Sequence, residues 1–198
     1  MLKIGLTGGM GSGKTTVSKI FSVLGIPVFY ADDVAKNIMN EDATLKQNLM
    51  DAFGAEAYIN NTLNRKYIAN IVFNDKYKLD RLNALVHPVT LAAADKWFNQ
   101  QTSPYVIKEA ALMFEAGAAA HLDYVIGVYA PQHLRLQRVM QRDNSTREQV
   151  LARINSQIDE TIKMRLCDFV IINDEQQAML PQVLLLHQKF MNEASQHQ

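Results

Sequence analysis

Eight consecutive residues near the start of the chain restrict the fold more than any other stretch. Gly8-Gly9-Met10-Gly11-Ser12-Gly13-Lys14-Thr15 satisfies G-x-x-x-x-G-K-S/T at every required position. The flanks fit as well. The apolar run Lys3-Ile4-Gly5-Leu6-Thr7 reads as a strand leading in, and Thr16 to Leu24 as an amphipathic helix leading out, stopped by Gly25. Glycines let backbone N–H groups curl around phosphate oxygens. A helix N-terminus adds free donors and partial positive charge. Lys14 is placed to bridge the β- and γ-phosphates, and the Thr15 hydroxyl to ligate the Mg²⁺ that accompanies a nucleotide. The loop therefore predicts a nucleoside triphosphate site on residues 8–16, Thr16 included.

The rest of the 198-residue chain reads as one α/β domain. Short apolar runs at 2–7, 27–30, 104–109, 123–129 and 168–172 are expected strands of a five-stranded parallel sheet flanked by helices, a P-loop NTPase/kinase fold. Segment 31–101 is expected to be almost wholly helical, with an ambiguous piece at 57–59, and reads as a helical insert. The core is then 1–30, 102–130 and 167–198, and 131–166 reads as a helical lid. A helix is expected from Pro131, and another from Ser145 with a capping box Ser145-Thr146-Arg147-Glu148. The last helix is expected to run from about Glu175 to Met191.

Composition narrows the class. Apolar residues make up 48% and charged residues 20%, which excludes wholesale disorder. Twenty basic residues balance twenty acidic ones, against the basic excess of a dedicated nucleic-acid binder. Cys167 stands alone, so no internal disulfide forms. With no signal-peptide pattern at Met1–Gly9 and no apolar run of spanning length, a cytoplasmic protein away from membranes is expected. A monomer or weak homo-oligomer is expected.

The loop is shared by kinases, switches, motors and transporters. A guanine-specifying N-K-x-D is missing: Asn74-Asp75-Lys76 and Asn173-Asp174-Glu175 do not fit, and Asp51-Ala52-Phe53-Gly54 lies in the helical insert. No L-S-G-G-Q occurs. A compact small-molecule kinase remains. Its acceptor needs a carboxylate beyond a strand end. Asp32, after Pro27-Val28-Phe29-Tyr30, suits that task, while Asp32 and Asp33 equally suit capping of a helix starting near Val34. Six of the eight arginines fall between 135 and 165. Arg135, Arg138 and Arg142 share one helix face, and forked guanidinium groups suit phosphate. Glu109 and Glu115 flank the third strand end and either hold Mg²⁺ through water or act as surface or cap residues. His87-Pro88 reads as a capping or core histidine before a helix started by Pro88. Asp123 and Asp168 read as structural.

The order and spacing of further motifs carry a resemblance. Ala31-Asp32 is followed by Val34-Ala35, then Leu85-Val86-His87-Pro88, Leu112-Met113-Phe114-Glu115, Gln141-Arg142-Asp143 and Asp168-Phe169-Val170-Ile171-Ile172-Asn173. With the phosphate loop, these make the chain resemble, nearly end to end, the dephospho-coenzyme A kinase family. The resemblance implies transfer of phosphate from ATP, with Mg²⁺, to the ribose 3′-hydroxyl of dephospho-coenzyme A, the last step of coenzyme A synthesis. It implies Asp32 as catalytic aspartate, with Lys14 and Arg142 acting at the phosphates. It implies nucleotide contacts from residues 8–16, Arg138 and Asn173, and acceptor-side places for Asp32, His87 and Glu115. Two positions depart from the family pattern: Tyr30 stands where an aspartate is usual, and Ala111 where a proline is usual.

Overall fold

The protein is described by a computed structural model covering residues 1–72 and 75–196. Phe73, Asn74, His197 and Gln198, which fall within the expected insert and last core segment, lie outside the described residues. The chain divides into two compact units, Met1–Tyr30 with Gln100–Gln198, and Ala31–Asn99.

The first unit holds a parallel sheet of five strands: β1 Leu2–Thr7, β2 Val28–Tyr30, β5 Tyr105–Glu109, β6 Tyr124–Tyr129 and β7 Phe169–Ile172. Their order is β2-β5-β1-β6-β7. β1 is central, with Leu6 opposite both Glu109 and Ile126. Ile4 and Leu6 are fully buried, as continuous apolar strands with cover on both faces require. On one face pack helices α1 (Lys14–Val23) and α9 (Met179–Gln196), sealing Val17, Phe21, Val183 and Phe190 against the sheet. Tyr105 sits between Phe21 and Phe190 with ring centroids 6.3 and 5.5 Å away, and its hydroxyl meets His187 Nδ1 at 2.7 Å. Asp123 accepts the Lys3 N–H at 2.6 Å, and Asp168 the Val125 N–H at 2.7 Å. Both stitch strand entrances together, the structural role expected of them.

The last helix begins at Met179, not near Glu175. Asp174 instead accepts the N–H groups of Gln176 and Gln177 in a turn, and Gln182 bonds both the N–H and the carbonyl of Ile172. The later start puts Pro181 in the first turn, where no intrahelical N–H is needed. Helix α6 (Gln132–Asp143) follows Pro131, which is its cap residue. Helix α7 (Arg147–Asn155) is capped by Thr146 with Gln149, so the capping box lies one residue later than expected. Ser145 with Glu148 and Thr146 with Gln149 both fit the capping-box pattern, and the fold forms the second. A further short helix, α8 (Glu160–Arg165), precedes β7 and packs on β6.

The second unit is helical: α2 Ala31–Glu41, α3 Ala43–Phe53, α4 Arg65–Val72 and α5 Lys76–Phe98. Leu45, Leu49, Phe53, Leu63, Ile68 and Val86 form its core. The ambiguous piece is a hairpin, β3 (Tyr58–Ile59) pairing antiparallel with β4 (Thr62–Leu63). Asn60 and Asn61 both take positive φ, the two-residue turn that matches strand twist. Pro88 does not start a helix; α5 runs through it. Its buried residues Val86, Thr90, Ala94 and Phe98 recur every fourth position, and burying that stripe offsets a local cost of about 3 kcal/mol. Helix α2 starts directly after β2, three residues before the expected Val34. Asp32 and Asp33 are therefore first-turn residues rather than caps.

Candidate active site

The loop from Gly8 to Gly13 leaves β1 and enters α1. Gly13 is the residue before the helix, with φ 102°, and contributes no side-chain cap, so the first turn of α1 opens directly onto the loop. Lys14 Nζ donates to the Gly8 carbonyl at 2.9 Å, reaching back across the loop. Beside it lies a cavity of ≈ 360 Å³. Its walls are Gly11, Gly13, Lys14, Thr15 and Thr16 from the loop side and Arg138, Val139 and Arg142 from α6. The structure thus brings together residues far apart in sequence: an ammonium, two guanidinium groups and a helix N-terminus around one concavity. Such a donor set suits a polyanion.

The arginines are held in place by acids. Arg138 pairs with Glu175 at 2.9 Å and reaches the Asn173 carbonyl at 3.4 Å. Arg142 makes a two-point contact with Asp143, at 2.7 and 3.1 Å. Hydrogen bonding from Arg142 holds the Asp143 carboxyl below its usual range. Asn173 donates from Nδ2 to the Ser12 carbonyl at 2.8 Å, latching the loop. Arg135, on the same helix, does not line this cavity. It is buried and pairs with Glu160 at 3.2 Å. That separation follows from α6 lying against the loop: Arg135 faces inward to Gly9 and Arg142 outward.

Glu115 stands apart from the cavity walls. Its carboxylate accepts the Ile158 N–H at 3.1 Å and pairs with Lys163 at 3.1 Å. The fully buried Lys163 also donates to the Ala111 carbonyl at 3.0 Å. Burial pushes the Glu115 carboxyl up, but hydrogen bonds from its own N–H, Ile158 and Lys163 bring it below the ordinary value. Its ionised form therefore favours the folded state above about pH 4.5, and that contribution fades as pH falls through the folded-state value. Glu115→Gln leaves a buried ammonium without its counter-charge. Urea unfolding at pH 7 is expected to show a loss of about 3–5 kcal/mol; a loss under about 1 kcal/mol contradicts a desolvated pair.

Glu109 is buried at the end of β5, in register with Leu6. In the second unit, Asp32 lies exposed in the first turn of α2, two residues beyond β2, while Asp33 pairs with Lys36 at 2.6 Å. His87 lies inside α5, and burial lowers its pKa, favouring neutral imidazole. Glu160 and Gln157, which accept the N–H groups of Gly9 and Met10, are missed by sequence reasoning: nothing local marks either residue.

Mg²⁺ fits this donor set. Among the described residues no group of three His, Cys, Asp or Glu side chains is arranged to hold a metal. Thr15, on the cavity wall, presents the hard oxygen that Mg²⁺ takes when phosphates and waters supply its other ligands.

The family model described as CoaE, dephospho-CoA kinase, matches residues 2–179. A dephospho-CoA kinase from Bacteroides fragilis is 35% identical over 186 residues, covering 93% of this chain and 91% of the relative. A crystal structure from Thermus thermophilus superposes with a TM-score of 0.81 at 31% identity, covering 97% of each chain. The dephospho-CoA kinase from Campylobacter jejuni gives 0.69 at 29% identity, covering 96% of this chain and 98% of the other. The match extends over the phosphate loop, the arginine helix and the helical unit alike, so the chain belongs to the dephospho-CoA kinase family.

Proposed function

We infer that the chain transfers the γ-phosphoryl group of ATP to the ribose 3′-hydroxyl of dephospho-coenzyme A, yielding coenzyme A and ADP. Beside family membership, the observation that carries this reading is the single cavity shared by Lys14, Thr15, Arg138 and Arg142. It offers fixed positive groups where charge builds on a transferring phosphoryl, which suits catalysis by positioning and electrostatics.

In this reading Lys14 and the loop N–H groups hold the β- and γ-phosphates. Arg142 and Arg138 face them from α6, and Asn173 keeps the adenine-side strand end tied to the loop. The Thr15 hydroxyl would hold Mg²⁺, which when bound would supply neutralisation of phosphate charge. Asp32 accepts or orients the acceptor proton, and the 31–99 unit holds the acceptor, with His87 on its binding side. Segment 131–166 closes over the triphosphate and excludes water. Glu115 keeps its acceptor-side place, on the turn after β5 that its pairing with Lys163 fixes. No helix among the described residues is long and apolar enough to cross a membrane.

ADP release from ATP–Mg²⁺ should rise strongly when dephospho-coenzyme A is added. Tight ATP binding with no stimulation would discard the acceptor and call for a panel of nucleosides and nucleotides.

A further inference from the structure

The outer side of the phosphate loop is anchored by two side chains, Glu160 and Gln157, to which the mechanism assigns no individual role. Glu160 opens α8, and its side chain is 11% exposed. One carboxylate oxygen accepts the Gly9 N–H at 3.2 Å, and the other meets Arg135 Nη1 at 3.2 Å. Gln157 Oε1 accepts the next loop amide, Met10 N–H, at 3.2 Å. A side chain at residue 9 would collide with both the Arg135 guanidinium and the Glu160 carboxylate, so Gly9 admits this close approach. Two consecutive loop amides are thus committed to the protein itself. The phosphate cradle is left to the donors from Gly11 onward.

A carboxylate against a triphosphate loop would repel its ligand. Arg135 cancels that charge: its guanidinium is 6% exposed and its Nε is buried with no protein partner. A desolvated pair of this kind contributes little net stability, and its best-attested use is to fix a geometry. One turn further along α8, Lys163 holds the Ala111 carbonyl and Glu115. The same short helix therefore braces the phosphate loop and the turn after β5, both at the carboxyl end of the sheet.

We propose that Glu160, with Gln157, is a positioning residue for phosphoryl transfer: neutralised by Arg135, it sets the curvature of the phosphate loop by holding the Gly9 and Met10 amides from outside. The proposal rests on the kinase reading above. It differs from an autoinhibitory contact, in which the carboxylate would stand in for a phosphate and leave when nucleotide binds.

The test combines kinetics with the amide spectrum of ¹⁵N-labelled full-length protein. Glu160→Gln should lower kcat about 10- to 100-fold, the scale of a small misplacement of reacting groups, with the KM for ATP changed by less than about threefold. The Gly9 amide proton should move upfield in the variant. In the wild type it should keep its downfield position when a non-hydrolysable ATP analogue and Mg²⁺ are added. A kcat within about twofold of wild type, or a wild-type Gly9 resonance that shifts with the analogue to its position in the variant, overturns the proposal. If Glu160→Gln does not fold, Gln157→Ala decides. It removes the Met10 anchor without unpairing Arg135, and a drop of about three- to tenfold in kcat supports the proposal while unchanged kcat overturns it. Loss of stimulation by dephospho-coenzyme A in the wild type would instead strike the kinase reading, and the Gly9 resonance would still report on the anchor.

Discussion

Asp32→Asn lowers kcat by about 10²- to 10⁴-fold, the contribution of a positioned general base, and leaves ATP affinity nearly unchanged. The substitution keeps size and polarity but removes the carboxylate proposed to accept or orient the hydroxyl proton. Three observations single out Asp32. It follows β2 by two residues, at the carboxyl end of a parallel strand, where open α/β sheets gather their ligands. Its neighbour Asp33 is taken by Lys36. Among the described residues Asp32 has no ion-pair partner. Steady-state kinetics with saturating dephospho-coenzyme A, beside an independent titration of ATP, separates the two effects. Wild-type turnover in Asp32→Asn removes the residue from the mechanism. A parallel loss of ATP binding would move it to the nucleotide side. Tyr30, where the family usually carries a second carboxylate, makes this test sharper, because no acid at that position is available to share the proton.

Lys14→Ala is expected to weaken ATP binding and to lower kcat by about 10²- to 10³-fold, the scale found when one preorganised donor to developing charge is removed. Both parameters should move, because in the proposed mechanism the ammonium contacts phosphate oxygens in the ground state and gains as charge develops in the transition state. The bond to the Gly8 carbonyl shows that the side chain already lies folded over the loop. Arg142→Ala should be milder, since Arg138 remains on the same cavity wall. Unchanged kcat and ATP affinity in Lys14→Ala would overturn the loop assignment itself.

The fold was largely legible because its signals are short-range. Each of the five strands is a run of apolar residues beside a helical pattern, and the phosphate loop packs its whole specification into eight positions. Where the reading strayed, two local preferences competed. Ser145 with Glu148 and Thr146 with Gln149 are equally good capping boxes, and only the tertiary structure chooses the second. Pro88 favours a helix start, yet the buried stripe through Val86, Thr90 and Ala94 carries α5 across it. Asn60-Asn61 suits a tight turn, but strands of two residues each carry no periodic signal beside it.

The candidate site divides along the same line. Lys14, Thr15 and the glycines were assigned from the sequence by itself, because phosphate binding there is a property of consecutive backbone donors and one helix start. Helical spacing placed Arg135, Arg138 and Arg142 on one face, and only the family resemblance pointed to Arg138 and Arg142. The tertiary structure alone decided which arginine faces the cavity and which lies buried against Gly9. It also turned Glu115 toward Lys163, and it set Glu160 against an amide 151 residues away. Such contacts depend on β6 lying beside β1 and on α8 folding back onto β6. A hydrogen bond specifies only its two partners; the path of the chain between them determines whether they meet.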